Sequence, residues 1–298
     1  MTKKFLWYST PFMLAFLALA IWEPYLYQNF FANTSIKKLK GRDFQIIARR
    51  GSSGVAPENT MIAFQKALDL KVDMIHLDVR HTKDEEIVVF HDQTLDRTTN
   101  GNGNVHDYNL SELKQLDAGS WFDLAYSDQK IPTLREALDL IDGKCKALIE
   151  IKHMDHPHYQ DFAEKLVNVI RKEKNGFEWC ILQSLETTYL DKAHELEPLI
   201  QTKPILVGED STPLIAFYVE TRLHLGRSSD SNHTALNPNY QTLSPRRVFR
   251  MHARGFDVFA YPVNKRKDMI IMLNMGVDGI ITDYPSISMK LRRDIASL

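Results

Sequence analysis

The sequence predicts an α/β protein: a (β/α)8 TIM barrel with an insertion after its second strand, preceded by an N-terminal transmembrane helix. Three observations support this fold class. Short β-rich runs alternate with helical patterns over residues 44–298, a long polar interval follows the second run, and an uncharged segment opens the chain. A doubly wound open sheet is the alternative that the same alternation allows.

The composition is that of a globular domain. The 298 residues are 44% hydrophobic and 25% charged, which excludes a disordered or collagen-like chain. Because 37 Lys and Arg oppose 38 Asp and Glu, the net charge of −1 leaves no basic excess for nucleic acid. The two cysteines, Cys145 and Cys180, are too few for a disulfide framework and lack metal-ligand spacing, so we interpret them as buried apolar side chains.

Residues 5–22 carry no charged side chain and follow two lysines. At about 1.5 Å per residue this run spans roughly 27 Å, enough for the hydrocarbon core of a bilayer. We therefore predict a transmembrane anchor over 1–28, a linker over 29–43 and the barrel over 44–298. A cleaved signal peptide, which would make the protein secreted, and a buried helix are the alternatives. The predicted localisation is a single-pass membrane protein, with the extracytoplasmic side favoured.

Eight β-rich runs are predicted to form the barrel. They cover 44–48, 73–79, 147–152, 179–184, 202–207, 233–237, 258–261 and 279–282. The helical patterns cover 57–70, 133–141, 159–173, 186–196, 245–254 and 265–275. Gly255 and Gly276 fall just past two of these helices, where a left-handed cap favours glycine. Residues 80–132, with a short strand at 86–90, are too long for a plain connection and are interpreted as a functional insertion.

Polar side chains lie at the carboxyl ends of two predicted strands. Alternation along a strand places His76 and Asp78 on one face, and likewise Glu150 and Lys152. Active sites of barrels lie at this end, and buried charges are costly unless they are paired or bind a metal. His76, Asp78 and Glu150 are thus candidate ligands of a divalent cation, with Lys152 and Arg50 near a bound anion. A buried ion-pair network without a ligand is the alternative.

A series of short motifs follows one after another from residue 46 onwards. They are Ala48-Arg49-Arg50-Gly51, Pro57-Glu58-Asn59-Thr60, Leu77-Asp78-Val79, Phe90-His91-Asp92, Leu95-Asp96-Arg97-Thr98-Thr99 and Glu150-Ile151-Lys152, with fainter matches as far as Asp283-Tyr284-Pro285. In this order they resemble the glycerophosphodiester phosphodiesterase family. The resemblance implies a barrel fold, a divalent metal ion (Mg²⁺ or Ca²⁺), and hydrolysis of a phosphodiester to an alcohol and a phosphomonoester.

The resemblance also implies roles for individual residues. The family uses two histidines as general acid and base; His91 matches the second, whereas Arg49 stands in place of the first. Two metal ligands match at Asp78 and Glu150, and His76 replaces the third, a glutamate.

The residues expected around the phosphate match the family. They are Arg50, Lys152, Glu58 and Asn59. Of the two replacements, a histidine at position 76 can still bind a metal ion. An arginine at position 49 is always protonated, so it cannot act as a general base. In an alternative mechanism His76 would serve as the acid/base and Arg49 would hold the phosphate, with the metal weakened or absent.

The expected function is a membrane-associated hydrolase that cleaves a glycerophosphodiester or lysophospholipid head group by metal-assisted acid/base catalysis. The alternative is a catalytically impaired pseudoenzyme, because Arg49 and His76 replace two functional residues of the family. Such a protein would bind a phosphorylated head group or a protein partner through the same pocket. Both interpretations include a membrane and neither includes nucleic acid.

Overall fold

The computed structural model of the protein describes residues 22–152, 161–205 and 235–298. Its strands are β1 (Gln45–Ala48), β2 (Met74–His81), β3 (Ile87–Val89), β4 (Lys146–Ile151), β5 (Cys180–Ser184), β6 (Gln201–Pro204), β7 (Ala235–Leu236), β8 (Asp257–Ala260) and β9 (Gly279–Thr282). Its α-helices are α1 (Met61–Asp69), α2 (Leu110–Leu113), α3 (Leu134–Ile141), α4 (Phe162–Arg171), α5 (Gly176–Trp179), α6 (Thr187–Leu196), α7 (Pro245–His252), α8 (Arg266–Met275) and α9 (Pro285–Ala296).

All strands except β3 are parallel and follow one another around the sheet in chain order. The order is β6-β5-β4-β2-β1-β9-β8-β7, so β1 pairs with β9. Over the described ranges no ladder joins β6 to β7. Pairing of the first strand with the last confirms a TIM-barrel-like α/β fold and excludes the doubly wound alternative, in which the strand order reverses.

The inner face of the sheet is filled by one apolar cluster to which strands around the whole sheet contribute. Its members are Ile47, Met74, Leu148, Ile181, Ile205, Phe259, Tyr261 and Ile281. A side chain two positions further along a strand points to the same face. This period places His76, Glu150, Gln183 and Asp283 above the apolar cluster, at the carboxyl end of the sheet.

Five of the predicted helices agree with the structure to within about two residues at the ends that the structure describes. The helix predicted from residue 57 begins instead at Met61, because Asn59 has φ 57° and cannot be helical. Gly255 and Gly276 have φ of 84° and 106°, as predicted. The C-terminal helix α9 was not predicted; it begins at Pro285 and buries Leu291 and Ile295.

The predicted insertion after the second strand is confirmed. Strand β3 pairs antiparallel with β2, and the segment as far as residue 132 packs around a small core of its own. That core contains Val88, Phe90, Leu95, Val105, Leu113, Ala118 and Ile131. The insertion therefore forms a compact wall beside the carboxyl end of the sheet.

Most of the predicted transmembrane segment, residues 1–21, lies outside the described residues. Among the described helices, none is long and apolar enough to cross a bilayer. The chain is helical from Trp22, and the Gln28 amide donates to the carbonyls of Tyr240 and Leu243 at 2.7 and 2.8 Å. Leu39 is buried against the barrel. The boundaries of anchor, linker and barrel stay predictions.

Candidate active site

His76, Asp78 and Glu150 come together at the carboxyl ends of β2 and β4. Parallel pairing places Asp78 directly beside Glu150. His76 Nε2 lies 2.9 Å from Glu150 Oε2 and 4.0 Å from Asp78 Oδ1. The three residues can each offer one ligand atom, and these atoms lie within 4.8 Å of one another. The cluster predicted from the alternation of two strands is therefore assembled.

Two cations border this cluster. Lys152 Nζ lies 2.5 Å from Glu150 Oε1 and 3.4 Å from Asp78 Oδ1, and Arg50 Nε lies 3.2 Å from Asp78 Oδ2. Burial acts to raise the pKa of Asp78, but Lys152, Arg50 and neighbouring imidazoles outweigh it and hold the pKa well below its usual value. Burial also acts to raise the pKa of Glu150, and the charge of Lys152 and the His76 contact lower it. Both carboxyls are therefore ionised and able to bind a cation.

Asn59 fixes the orientation of Asp78. Its amide donates to Asp78 Oδ2 at 2.8 Å, and its own carbonyl oxygen accepts from the Asp78 backbone N–H at 3.3 Å. The left-handed backbone at Asn59 turns the side chain back towards β2, which explains why α1 starts later than predicted. The second carboxylate oxygen, Oδ1, is buried and accepts no hydrogen bond.

The residues present fit a divalent cation. One imidazole, two carboxylates and a buried carboxylate oxygen without a hydrogen bond form a suitable donor set. The His76 ring would have to change tautomer, because the Arg50 backbone N–H donates to its Nδ1 at 3.4 Å. This bond assigns the proton of the neutral ring to Nε2, the nitrogen that faces Glu150. Metal binding through Nε2 would require that proton to leave.

A second network holds His91, which follows β3. His91 Nδ1 lies 2.6 Å from Asp92 Oδ1, so the Asp92 carboxylate orients the ring. Arg97 donates to both oxygens of Asp92, at 2.6 and 2.9 Å. Burial acts to raise the pKa of Asp92, but the hydrogen bonds from His91 and Arg97 lower it. An ionised Asp92 keeps the proton of the neutral ring on Nδ1 and leaves Nε2 to accept or donate a proton.

Arg97 also connects this network to Arg50. Its guanidinium donates to both oxygens of Glu58, at 2.7 and 3.1 Å, and Arg50 Nη1 donates to Glu58 Oε1 at 2.9 Å. Burial acts to raise the pKa of Glu58, but the Arg97 hydrogen bond and the charge of Arg50 outweigh it, so the pKa lies below its usual value. One arginine thus fixes the position of His91 relative to a cation of the predicted phosphate pocket.

Arg49 pairs with a carboxylate of its own. Its Nη1 lies 3.0 Å from Asp283 Oδ1, just after β9, and Ser53 Oγ donates to the same oxygen at 3.1 Å. The Asn264 amide donates to Asp283 Oδ2 at 2.6 Å. Burial acts to raise the pKa of Asp283, but Arg49 and these hydrogen bonds lower it. The positive charge that replaces the first family histidine is therefore balanced within the protein.

Several residues of the site were not predicted. Gln183 donates to Glu150 Oε2 at 2.9 Å and accepts from the Asn237 amide. Its position two residues after the inward-facing Ile181 is the signal that could have identified it. Asp92, Arg97 and Asp283 lie within the quoted motifs, yet no periodicity predicts their partners, because all three lie in loops.

A TIM-barrel-like sheet that gathers a candidate metal centre, two cations and an imidazole held by a carboxylate at its carboxyl end has the features of a barrel hydrolase. Residues 50–287 match the model of the glycerophosphoryl diester phosphodiesterase family. The chain belongs to this family. Members of the family use a divalent metal, in agreement with the cluster of His76, Asp78 and Glu150.

Similar proteins match more than four fifths of the chain. A glycerophosphodiester phosphodiesterase of Bacillus subtilis is 34% identical over 260 residues, which are 83% of this chain and 86% of the relative. One of Caldanaerobacter subterraneus is 37% identical over 249 residues, 83% of this chain and 97% of the relative. The solved structure of an Oleispira antarctica phosphodiesterase in complex with the product sn-glycerol-3-phosphate has a TM-score of 0.71 and 30% identity, covering 84% and 96% of the two chains.

Proposed function

We propose that the protein hydrolyses glycerophosphodiesters or lysophospholipid-type diesters by metal-assisted acid/base catalysis. The observation that carries the proposal is the single assembly of His91, Arg50 and Lys152 with the His76, Asp78 and Glu150 cluster at the carboxyl end of the sheet. The sn-glycerol-3-phosphate in the Oleispira antarctica structure supports a substrate of the same chemical class.

The chain's own residues supply binding and proton transfer. Arg50 and Lys152 would hold the phosphate oxygens, because both cations lie beside the carboxylates at the mouth of the barrel. His91, oriented by Asp92, would transfer a proton to or from the substrate through Nε2. Asp78 and Glu150, with His76, would hold a divalent ion, which when bound neutralises phosphate charge and activates the attacking group.

His76 has two possible roles that cannot be held at once. As the third metal ligand it must present an unprotonated Nε2, whereas the hydrogen bond from Arg50 N–H leaves the proton on that atom. To act as the acid in place of the histidine that Arg49 replaces, His76 would have to carry a proton on both ring nitrogens, because a neutral ring that lost its Nε2 proton would become an imidazolate. The Arg50 N–H that donates to Nδ1 opposes this form of the ring. The ionic pairing of Arg49 with Asp283 gives Arg49 a structural partner and weakens its case as the phosphate-holding residue.

The membrane anchor over 1–28, with the barrel on the extracytoplasmic side, remains our proposal for the localisation. The uncharged run over 5–22 supports it. A lipid-derived substrate would suit a barrel held beside a bilayer.

The comparisons give no support to a non-catalytic binding protein.

The test is ³¹P NMR of glycerophosphocholine and lysophosphatidylcholine mixed with the full chain, with Mg²⁺ or Ca²⁺ present or chelated. We expect a phosphomonoester signal that needs the cation and that disappears in His91→Ala. His252→Ala is the matched control, because His252 lies at the opposite end of the barrel and pairs with Asp278. Absence of hydrolysis under all conditions, or full activity of His91→Ala, would contradict the proposal.

A further inference from the structure

We infer that the rim of the barrel around the candidate active site docks on the surface of a zwitterionic lipid bilayer. The inference deepens the proposed function and rests on it, because it places the site where lipid-derived diesters lie. The rim consists of five apolar residues whose exposed fractions range from 37% to 79%: Val55, Trp121, Leu124, Leu185 and Tyr284.

The rim residues lie in loops at one end of the fold. Val55 follows β1, Leu185 follows β5 and Tyr284 follows β9, whereas Trp121 and Leu124 belong to the insertion. Loops that follow parallel strands lie at the carboxyl end of a barrel, which is the end that carries the candidate active site. A lipid surface that contacts the rim would therefore face the site.

Part of the rim is a continuous packed surface. The Tyr126 hydroxyl donates to the Val55 carbonyl at 3.1 Å, and the Phe122 ring lies between Trp121 and Tyr126, at 5.7 and 5.9 Å between centroids. The Tyr284 ring packs on Gly54, where a Cβ atom would come within 2.4 Å of it. These contacts hold apolar side chains in water on structured loops. Exposure of this apolar surface costs free energy, which burial against a partner would recover.

The N-terminal segment identifies the partner. Gln28 bonds to the loop between β7 and α7, and Glu23 Oε2 lies 3.9 Å from Arg247 Nε in the first turn of α7. Further along, Asn274 at the end of α8 donates to the carbonyls of Asn33 and Ser35. The chain thus runs down the outside of the barrel, from its carboxyl end near residue 23 to its amino end near residue 35.

The uncharged run over 5–22 consequently joins the fold at the same end as the rim. Trp22 and Tyr25 are 57% and 53% exposed there, and aromatic side chains of this kind favour the boundary between lipid and water. A bilayer that held the run would meet the rim. The exposed charged residues of the loop that carries Leu124 are Asp123, Asp128 and Lys130, with a net charge of −1, so anionic lipid gains no attraction there and the zwitterionic surface fits better.

The experiment compares two leucines at opposite ends of the barrel. Leu124 in the rim is 79% exposed, and Leu199, between α6 and β6 at the amino end, is 75% exposed. Leu124→Cys and Leu199→Cys in the full chain are labelled with a polarity-sensitive fluorophore and reconstituted with phosphatidylcholine vesicles. Burial raises the pKa of Cys145 to about 12 and also raises that of Cys180, so the native thiols react slowly. The labelled unmodified chain measures their residual signal.

We expect a blue shift of the emission at position 124 on reconstitution and none at position 199. Equal responses, or none at position 124, would overturn the docking. A shift at position 124 that needs no vesicles and grows with protein concentration would assign the rim to a second copy of the chain and also overturn it. Hydrolysis of soluble glycerophosphocholine is measured on the same samples. Hydrolysis without a response at position 124 would refute the docking alone and leave the proposed function intact.

Discussion

At the scale of single residues, the site depends on how each charge is partnered. Arg97 makes four hydrogen bonds to Asp92 and Glu58, and through them it holds His91 and Arg50 in a fixed relation. A misplacement of a catalytic group by about 1 Å can cost about 100-fold in rate. A residue that touches no substrate can therefore matter as much as one that does.

Replacement of Arg97 tests this positioning role. We expect Arg97→Met to lower kcat about 10- to 100-fold while KM changes little, because His91 loses its orientation and the phosphate cations remain. Arg97→Lys should recover part of the loss, since one ammonium can neutralise but cannot bridge both carboxylates. Steady-state kinetics on glycerophosphocholine provide the measurement. Arg171→Met, which removes an exposed arginine on α4 that pairs with Glu197, is the control. A normal kcat in Arg97→Met would rule out the role.

A second prediction concerns Arg49 and His76, the two residues that differ from the family pattern. Arg49→His together with His76→Glu should raise phosphodiesterase activity at least about tenfold, because it restores a proton-transfer group and a third carboxylate. Each single change should do less. Assays at fixed Mg²⁺ or Ca²⁺ compare the four chains. Arg49→His also leaves Asp283 without its guanidinium, so the unfolding temperature of each variant is measured alongside. A fast unmodified chain that Arg49→His slows, with its stability unchanged, would favour the exchanged roles of Arg49 and His76.

At the scale of elements, much of the fold and part of the site could be predicted from the sequence. The period of two along β2 and β4 identified His76, Asp78, Glu150 and Lys152, because strand geometry fixes which side chains share a face. The partners of Arg97 and Arg49 could not be predicted. Glu58 and Asp283 lie 39 and 234 residues from them, and loop conformations set those distances.

The N-terminal segment gives a prediction at this scale. A chain that starts at Asn29 should have a free energy of unfolding about 1–3 kcal/mol lower than that of a chain that starts at Trp22. The shorter chain lacks Gln28, which donates to the carbonyls of Tyr240 and Leu243. Urea unfolding followed by circular dichroism measures the difference. Gln28→Ala in the longer chain should reproduce most of it. Equal midpoints for the two chains would show that residues 22–28 do not stabilise the barrel.

At the scale of the whole molecule, the fold brings a candidate metal centre, an oriented imidazole and an apolar rim to one end. The carboxylates of this end are balanced by Lys152 and Arg50, so a divalent ion must compete with cations of the chain itself. His76 stands where the family has a glutamate, so the cluster carries one negative charge fewer than three carboxylates would. Both features predict weaker binding of hard cations than three carboxylates would give, and a shift towards softer ions.

Cation binding to the full chain, measured by calorimetry with Mg²⁺, Ca²⁺, Mn²⁺ and Zn²⁺, tests the central claim most directly. We predict one ion per chain, lost in Asp78→Ala and retained in Asp69→Asn, which alters an exposed carboxylate at the end of α1, at the opposite end of the barrel. His76→Glu should strengthen Mg²⁺ or Ca²⁺ binding about tenfold or more. If no cation binds, or if Asp78→Ala leaves binding unchanged, then His76, Asp78 and Glu150 are not a metal centre.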